Sequence, residues 1–339
     1  MKSIKTVKVK SASDRGGVSP EGGAAIAIDL GGTNLRLGIV DGKGVIILWD
    51  QKERPLKKQE IIDGIAAKAK EGFDLAQSRG MKPIGIGIST GGRVDFKRGI
   101  IVDATGNLPD WRDVHIRDAV QEIVDLPVTV DNDGNCSAAA ERVFGKAKTE
   151  NNFISIALGT GIGGGIYVDG KLLRGENNYA GEIGHVTVNA DGPKCSCGAY
   201  GCVEMYSSGV GLVRWAQEEF PSLKDTAGNR KLTAKSIGES AQHGNAAAIE
   251  LLKKAGTMLG AAVAGWLNTF NPSMIVLSGS LTELGEYYFR PFKDAVFQRA
   301  MVQTTEKLKI AFSDFHNQAG IIGAASLVFQ DQQEHGGGI

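Results

Sequence analysis

The stretch Ala24-Ala25-Ile26-Ala27-Ile28-Asp29-Leu30-Gly31-Gly32-Thr33-Asn34-Leu35-Arg36-Leu37-Gly38-Ile39-Val40 decides how the rest of the chain is read. Residues 24–30 form a short apolar run of the kind a buried strand uses. Leu35, Leu37 and Ile39 then alternate with period two, the pattern of a second strand. The glycines at 31 and 32 therefore turn a β-hairpin. A P-loop or a dinucleotide-binding loop would lead from a strand into a helix, which this turn does not. Asp29 closes the first strand. A carboxylate there can hold Mg²⁺, directly or through water, while Gly31 and Gly32 let backbone N–H groups approach phosphate oxygens and Thr33 adds a hydroxyl donor. A plain tight hairpin is the competing reading of the same residues.

Outward from this hairpin, the pattern recurs. Phe153–Leu158 reads as a strand, followed by the glycine loop Gly159-Thr160-Gly161-Ile162-Gly163-Gly164-Gly165 and strand-like Ile166–Val168. Leu30-Gly31 matches Leu158-Gly159, and Val40-Asp41-Gly42-Lys43 matches Val168-Asp169-Gly170-Lys171, both 128 residues apart and without gaps. A repeat of this size suggests two related lobes, each opening on a glycine-turn hairpin, with a chance match of six positions in glycine-rich strands as the competing reading. Two such loops facing each other would clamp a triphosphate. Helical patterns over Glu60–Arg79, Asn135–Val143, Ala246–Leu267 and Gly320–Phe329 alternate with strands at Ile84–Ile88, Val128–Val130 and Met274–Leu277, which argues for an α/β architecture. The expected organisation is a flexible tail over 1–23, a small lobe over 24–131, a large lobe over 132–317 and a second tail over 331–339. A closing helix at about 318–330 is able to pack back on the small lobe.

Composition narrows the function classes. The chain has 339 residues, enough for two lobes, with 42% hydrophobic and 22% charged residues. Lys+Arg and Asp+Glu both number 38, so no net charge points to nucleic acid or a membrane surface as partner. No apolar run approaches the ~18–20 residues of a membrane helix, and the basic N-terminus lacks a signal-peptide core, so a cytoplasmic location is expected. Glycine, at 47 residues, is about twice its usual share of ~7%.

The sharpest local signal is His185, Cys195, Cys197 and Cys202 within a loop spanning 185–204. Three thiolates and an imidazole suit a closed, structural Zn²⁺ site, with Gly198 and Gly201 tightening the turn. Reduced free thiols are the plain alternative, and Cys136 stands apart as a core residue. Asn132-Asp133 follows a strand and precedes a helix. Asp133 could take a proton from an acceptor hydroxyl there, although Asp and Asn are also favoured helix caps, and Asp131 is a competing carboxylate. Glu182 and Glu204 bracket the cysteine segment, where surface glutamates would be unremarkable. His115, His243, His316 and His335 show no partner pattern.

Taken together, these segments resemble the ROK family of sugar kinases in the actin-like ATPase superfamily, from about residue 24 to 329. The carriers are Ile28-Asp29-Leu30-Gly31-Gly32-Thr33-Asn34, Gly91-Gly92, Asn132-Asp133, Leu158–Gly165, Gly181-Glu182-Ile183-Gly184-His185, and Cys195-Ser196-Cys197-Gly198 through Gly201-Cys202-Val203-Glu204. The resemblance implies a two-lobed actin-like (ribonuclease H-like) α/β fold with a duplicated βββαβα core and a cleft between the lobes. It implies ATP-dependent phosphorylation of a hexose at the 6-hydroxyl, with Mg²⁺ and a structural Zn²⁺, and a homo-oligomer, dimer or tetramer, is expected. Asp133 is then the general base, and Asn132, Glu182, His185 and Glu204 contact the sugar, His185 using one ring nitrogen for Zn²⁺ and the other for a hydroxyl. Asp29, Gly31, Gly32, Thr33, Asn34, Gly159, Thr160, Gly161 and Gly163 make the Mg-ATP phosphate site, and Gly279 belongs to the adenosine pocket.

The sugar is left open between two branches. Ser89–Val94 and Val130–Cys136 resemble N-acetylmannosamine kinases, which implies Gly92, Arg93 and Thr105 near the sugar. Asn107-Leu108-Pro109 with Trp111 resembles bacterial glucokinases, which implies a sugar contact at Asn107. Serines flank Gly279 where the family commonly has more glycine, and Gly134 stands where many members have alanine. A non-enzymatic relative, a sugar-binding repressor or inactive kinase, is the alternative. The 23 residues ahead of the first strand are too few for a three-helix DNA-binding module, and the retained Asp29, Asp133 and glycine loops favour catalysis.

Overall fold

The computed structural model describes residues 23–104, 108, 110–223 and 231–335. The chain forms two compact units. The first comprises the described residues through Lys148, the short segment Arg174–Ala180 and those from Asn317 onward; the second comprises Thr149–Leu173 and Gly181–His316.

In the first unit, β1 (Ala24–Leu30), β2 (Asn34–Asp41) and β3 (Ile46–Glu53) precede α1 (Lys58–Ser78) and β4 (Pro83–Thr90). A small ribbon of β5 (Arg93–Asp95) and β6 (Ile100–Asp103), then α2 (Ile116–Gln121), leads to β7 (Val128–Asn132) and α3 (Asp133–Val143). The sheet order is β3-β2-β1-β4-β7. Strand alternation explains how both its faces are covered. Ile26 and Ile28 lie level with Ile86 and Ile88, and this branched face packs against Ile61 and Ile65 of α1. The opposite face pairs Ala25 and Ala27 with Gly85 and Gly87. There a Cβ at Gly87 would stand 1.8 Å from the Ala324 carbonyl, so the bare strand lets the last helix, α10 (Ala319–His335), lie directly on the sheet.

The second unit repeats the plan. Here β8 (Phe153–Leu158), β9 (Ile162–Val168) and β10 (Lys171–Leu172) open the unit, and a 3-10 turn covers Ile183–His185. Next come α4 (Glu204–Ser207), α5 (Gly209–Glu219), α6 (Ala234–Gln242) and α7 (Ala246–Phe270). The unit continues with β11 (Met274–Ser278), α8 (Glu286–Arg299), α9 (Val302–Thr305) and β12 (Lys309–Phe312). The order β10-β9-β8-β11-β12 is that of the first sheet. Asn245 caps α7 through the Ala248 N–H, and Asn271 stops it in a left-handed conformation at φ 45°.

Three expectations are corrected by this architecture. The division at residue 131 would separate β7 from α3, whereas α3 packs on α10 and the units part after Lys148. The glycine loop expected over 159–165 is only a turn, because β9 begins at Ile162 and Gly163 pairs with Ala157 inside the sheet. The two hairpins also differ by one residue in register: Leu30 faces Leu35, but Leu158 faces Ile162. Among the described residues, no helix is long and apolar enough to cross a membrane.

Candidate active site

Parallel pairing gathers the chemistry of the first unit at one sheet edge. Leu30, Thr90 and Asn132 stand level on β1, β4 and β7, as do Asp29, Ser89 and Asp131 one step earlier. The turns that follow β1 and β4 carry Gly31-Gly32-Thr33 and Gly91-Gly92, and β7 leads directly into α3 at Asp133. Loops beyond the carboxyl ends of parallel strands are where open α/β sheets bind ligands.

The two competing carboxylates at the β7–α3 junction have different surroundings. Asp131 is buried, with its side chain 2% exposed. Its Oδ1 accepts from the Asn132 N–H and from Asn135 Nδ2, both at 2.8 Å, and its Oδ2 accepts from Arg174 Nη1 at 2.5 Å. Asp133 is exposed, and its Oδ1 accepts from the Gly134 N–H at 2.9 Å. The helix cap is Asn132, whose Oδ1 accepts from the Asn135 N–H at 2.7 Å. Asp133 is thus the first helical residue, and Asn132 takes the capping role that its local sequence offered to either.

At the first glycine turn, Arg36 Nη1 donates to Asp29 Oδ2 at 2.6 Å, and the Asp29 side chain is 9% exposed. Arg54 Nε donates to the Gly32 carbonyl at 3.0 Å, and Asn34 Nδ2 to Thr33 Oγ1 at 2.9 Å. One carboxylate already engaged by a guanidinium is not a cation cage by itself. A divalent cation here would need oxygen ligands from outside this hairpin as well as Asp29. Gly32 and Gly159 are informative because nothing lies within 4 Å of where their Cβ would be, and neither has positive φ. The packing and backbone at these two positions would therefore accept a Cβ.

Arg93, expected near the sugar, is engaged through Nε and Nη2 by both carboxylate oxygens of Asp103, and its guanidinium lies 5.1 Å from the Tyr179 ring centroid. Gly92 has φ +101°, and a Cβ there would meet the Asp103 carbonyl at 2.6 Å. Thr105 and Asn107 lie outside the described residues. Leu108 and Trp111 flank Thr90-Gly91, the Trp111 indole donating to Thr90 Oγ1 at 3.2 Å.

In the second unit, the 3-10 turn bearing Ile183, Gly184 and His185 sits directly on β9. A Cβ on Gly184 would stand 2.1 Å from the Ile162 carbonyl, and one on Gly164 would stand 2.2 Å from Ile183 Cδ1. This close approach sets the backbone of His185. Its Nδ1 lies 3.5 Å from Cys195 Sγ, while Nε2 faces Glu182 Oε2 at 3.9 Å. Cys197 Sγ and Cys202 Sγ are 3.7 Å apart, and all four donor atoms lie within 4.8 Å of one another. Tetrahedral zinc with ordinary Zn–S and Zn–N bonds requires S···S of about 3.8 Å and N···S of about 3.5 Å. The quartet therefore fits the ion. Burial, then Cys195 and Cys197, push the Cys202 thiol up to about 12. Burial also opposes ionisation of Cys197, but the Ala199 N–H and the Cys195 and Cys202 thiols outweigh it and bring Cys197 below its ordinary value.

The segment beyond the last cysteine runs straight to the second glycine turn. Glu204 Oε2 accepts from the Ile162 N–H at 2.8 Å, and a Cβ on Gly161 would stand 2.4 Å from this oxygen, so it would displace the carboxylate. Glu182 is exposed, with its side chain at 43%. Beside the turn lies a cavity of about 840 Å³, lined by Gly159, Thr160, Val210, Leu232, Ser280 and Leu281 among others. Gly279 is not among its walls. Its φ of +93° and the Leu158 carbonyl, 2.2 Å from a Cβ there, make it a close-packing glycine that delivers Ser280 to the cavity. Sequence reasoning missed Arg36, Arg174 and the walls from α5 and α6. Arg174 lies 43 residues from Asp131, and only cross-strand alternation could have suggested Arg36 opposite Asp29, seven residues away.

A duplicated hairpin sheet, glycine turns at its strand ends and a Cys₃His cluster define a narrow class of protein. The chain matches the ROK family over residues 25–331, and it belongs to that family. It is 31% identical over 311 residues to the glucokinase of Thermotoga maritima, covering 89% of this chain and 96% of that protein. It is 30% identical to the xylose repressor of Bacillus subtilis, covering 90% of this chain and 77% of the repressor. Its structure superposes on a ROK family glucokinase from Streptomyces griseus, solved in complex with glucose and AMPPNP, with a TM-score of 0.77 and 32% identity, covering 91% of this chain and 100% of that one. The fold is thus the two-lobed fold of actin-like ATPases.

Proposed function

We propose that this protein transfers the terminal phosphoryl group of ATP to the 6-hydroxyl of a hexose, with glucose as the preferred acceptor. The observation that carries the reading is the contrast at the β7–α3 junction: Asp131 is buried and ion-paired, while Asp133, two residues on, is exposed at the strand-end edge. Phosphoryl transfer asks mainly for positioning and charge stabilisation, with one carboxylate to take the acceptor proton. Asp133 fills that role. Asn132, Glu182, Glu204 and His185 Nε2 hold ring hydroxyls, leaving His185 Nδ1 to the thiolates. Zinc, when bound, would fix that loop as a structural ion. Backbone N–H groups of the turns at 31–33 and 159–161 stabilise phosphoryl oxygens, and the cavity beside Thr160 takes the nucleoside. Mg²⁺, bound with the phosphates, would neutralise their charge.

Glucose is favoured over N-acetylmannosamine because the guanidinium of Arg93 is already committed to both oxygens of Asp103. The glucokinases among the relatives support the same choice. A coupled ADP-release assay with glucose, mannose and N-acetylmannosamine tests it. The expected result is the highest kcat/KM with glucose; a clear preference for N-acetylmannosamine would reverse the substrate assignment. A second reading, a sugar-binding regulator, is favoured by the likeness to the xylose repressor. It predicts sugar binding with no ADP release from any of the three.

A further inference from the structure

We propose that Arg174 is a positioning residue for the β7–α3 junction and acts on catalysis through Asp131. The inference rests on the reading of Asp133 as the base. Asp131 has three partners, and two of them, the Asn132 N–H and the Asn135 side chain, belong to the junction that displays Asn132 and Asp133. The third is Arg174, which supplies the positive charge for a carboxylate that is 2% exposed. A buried charge that loses its partner forces its surroundings to rearrange, and the surroundings of Asp131 are the junction itself.

Arg174 is itself fixed on both sides. Its guanidinium lies 3.7 Å from the Phe96 ring centroid, a stacking contact that a lysine would reproduce poorly. Its carbonyl accepts from the Ala180 N–H at 3.0 Å, closing the segment Arg174–Ala180 on itself. That segment belongs to the first unit, although the residues on either side of it belong to the second. It also brings Tyr179 to Arg93, and Glu182 and His185 follow directly in sequence. Arg174 therefore ties the segment Arg174–Ala180 to the base-bearing junction within the first unit through one ion pair.

The test compares wild type, Arg174→Gln, Asp131→Asn and the double variant by steady-state turnover and by hydrogen exchange over residues 131–135. Arg174→Gln is expected to lower kcat by about 10–100-fold with the sugar KM within about 3-fold, as a misplaced catalytic group does. Exchange at the junction should rise in the same variant. The double variant, which leaves no unpaired buried charge, should recover part of that kcat yet stay below wild type. An Arg174→Gln protein with wild-type kcat and a lowered melting temperature would reduce Arg174 to a structural residue and overturn the proposal. So would a double variant no better than Arg174→Gln, or one equal to wild type. If Arg174→Gln does not fold, the double variant against wild type decides on the same terms. Wild-type turnover separately tests the kinase reading. Should it be absent, the exchange comparison still judges Arg174, and unchanged exchange would refute the proposal.

Discussion

Across β1 and β2, Asp29 and Arg36 face one another directly; across β8 and β9 the same place is held by Ala157 and Gly163. The frame was duplicated, but its charge was not. In the first unit the acid near the glycine turn is part of the hairpin and is neutralised by its cross-strand neighbour. In the second unit the carboxylate arrives from Glu204, 42 residues beyond the Ile162 N–H that it accepts from. Glu204 stands two residues after a thiol of the Cys₃His cluster. The lesson is that the first turn is shaped by its sheet, while the second depends on a metal-ready loop to bring its charge.

If the first unit supplies the base from its own strand ends, Asp133→Asn should lower kcat by about 10²–10⁴-fold while sugar binding measured by calorimetry stays largely intact. Near-full turnover in that variant would remove the first unit's side of the comparison. Stripping metal with a chelator tests the other side. Purified protein should carry one zinc per chain. Its removal should lower the melting temperature and cost more activity than the about 10–100-fold typical of losing one residue that supports a metal site. Protein with no zinc, or with unchanged activity after chelation, would cut the link between cluster and turn. Glu204→Gln keeps an acceptor for the Ile162 N–H but loses its charge. A fall of about 10-fold in kcat/KM is expected, the scale of a hydrogen bond to a charged group.

The smallest effect sharpens the likeness between the two turns. Gly32→Ala and Gly159→Ala each place a methyl in open space. Each should raise the KM for ATP by about 5-fold, roughly 1 kcal/mol. Neither should cost stability, since alanine at a compatible position stabilises by about 0.4–1 kcal/mol. A loss of stability with KM unchanged would show that these glycines serve the fold.

Much of this was legible where the physics is local. Period-two alternation and the glycine turns gave both hairpins, and the tight spacing of His185, Cys195, Cys197 and Cys202 gave a cluster whose geometry fits zinc. The capping choice between Asn132 and Asp133 was not legible, because either side chain can accept from a helix N–H; the backbone alone settles it. Gly163-Gly164-Gly165 looked like loop because glycine suits turns, yet Gly164 is in a strand to admit Ile183. Arg174 and Asp131 are 43 residues apart, and a lone arginine in a polar segment has no periodic signature that would pair them.

The most direct test of the account is the chemical identity of the product. Wild-type protein incubated with Mg-ATP and uniformly ¹³C-labelled glucose should give a sugar phosphate whose ³¹P coupling falls on carbon 6, in step with ADP release. Glucose that binds yet yields no phosphorylated sugar, or a phosphate on any other carbon, would contradict the assignment of Asp133 as the base for the 6-hydroxyl.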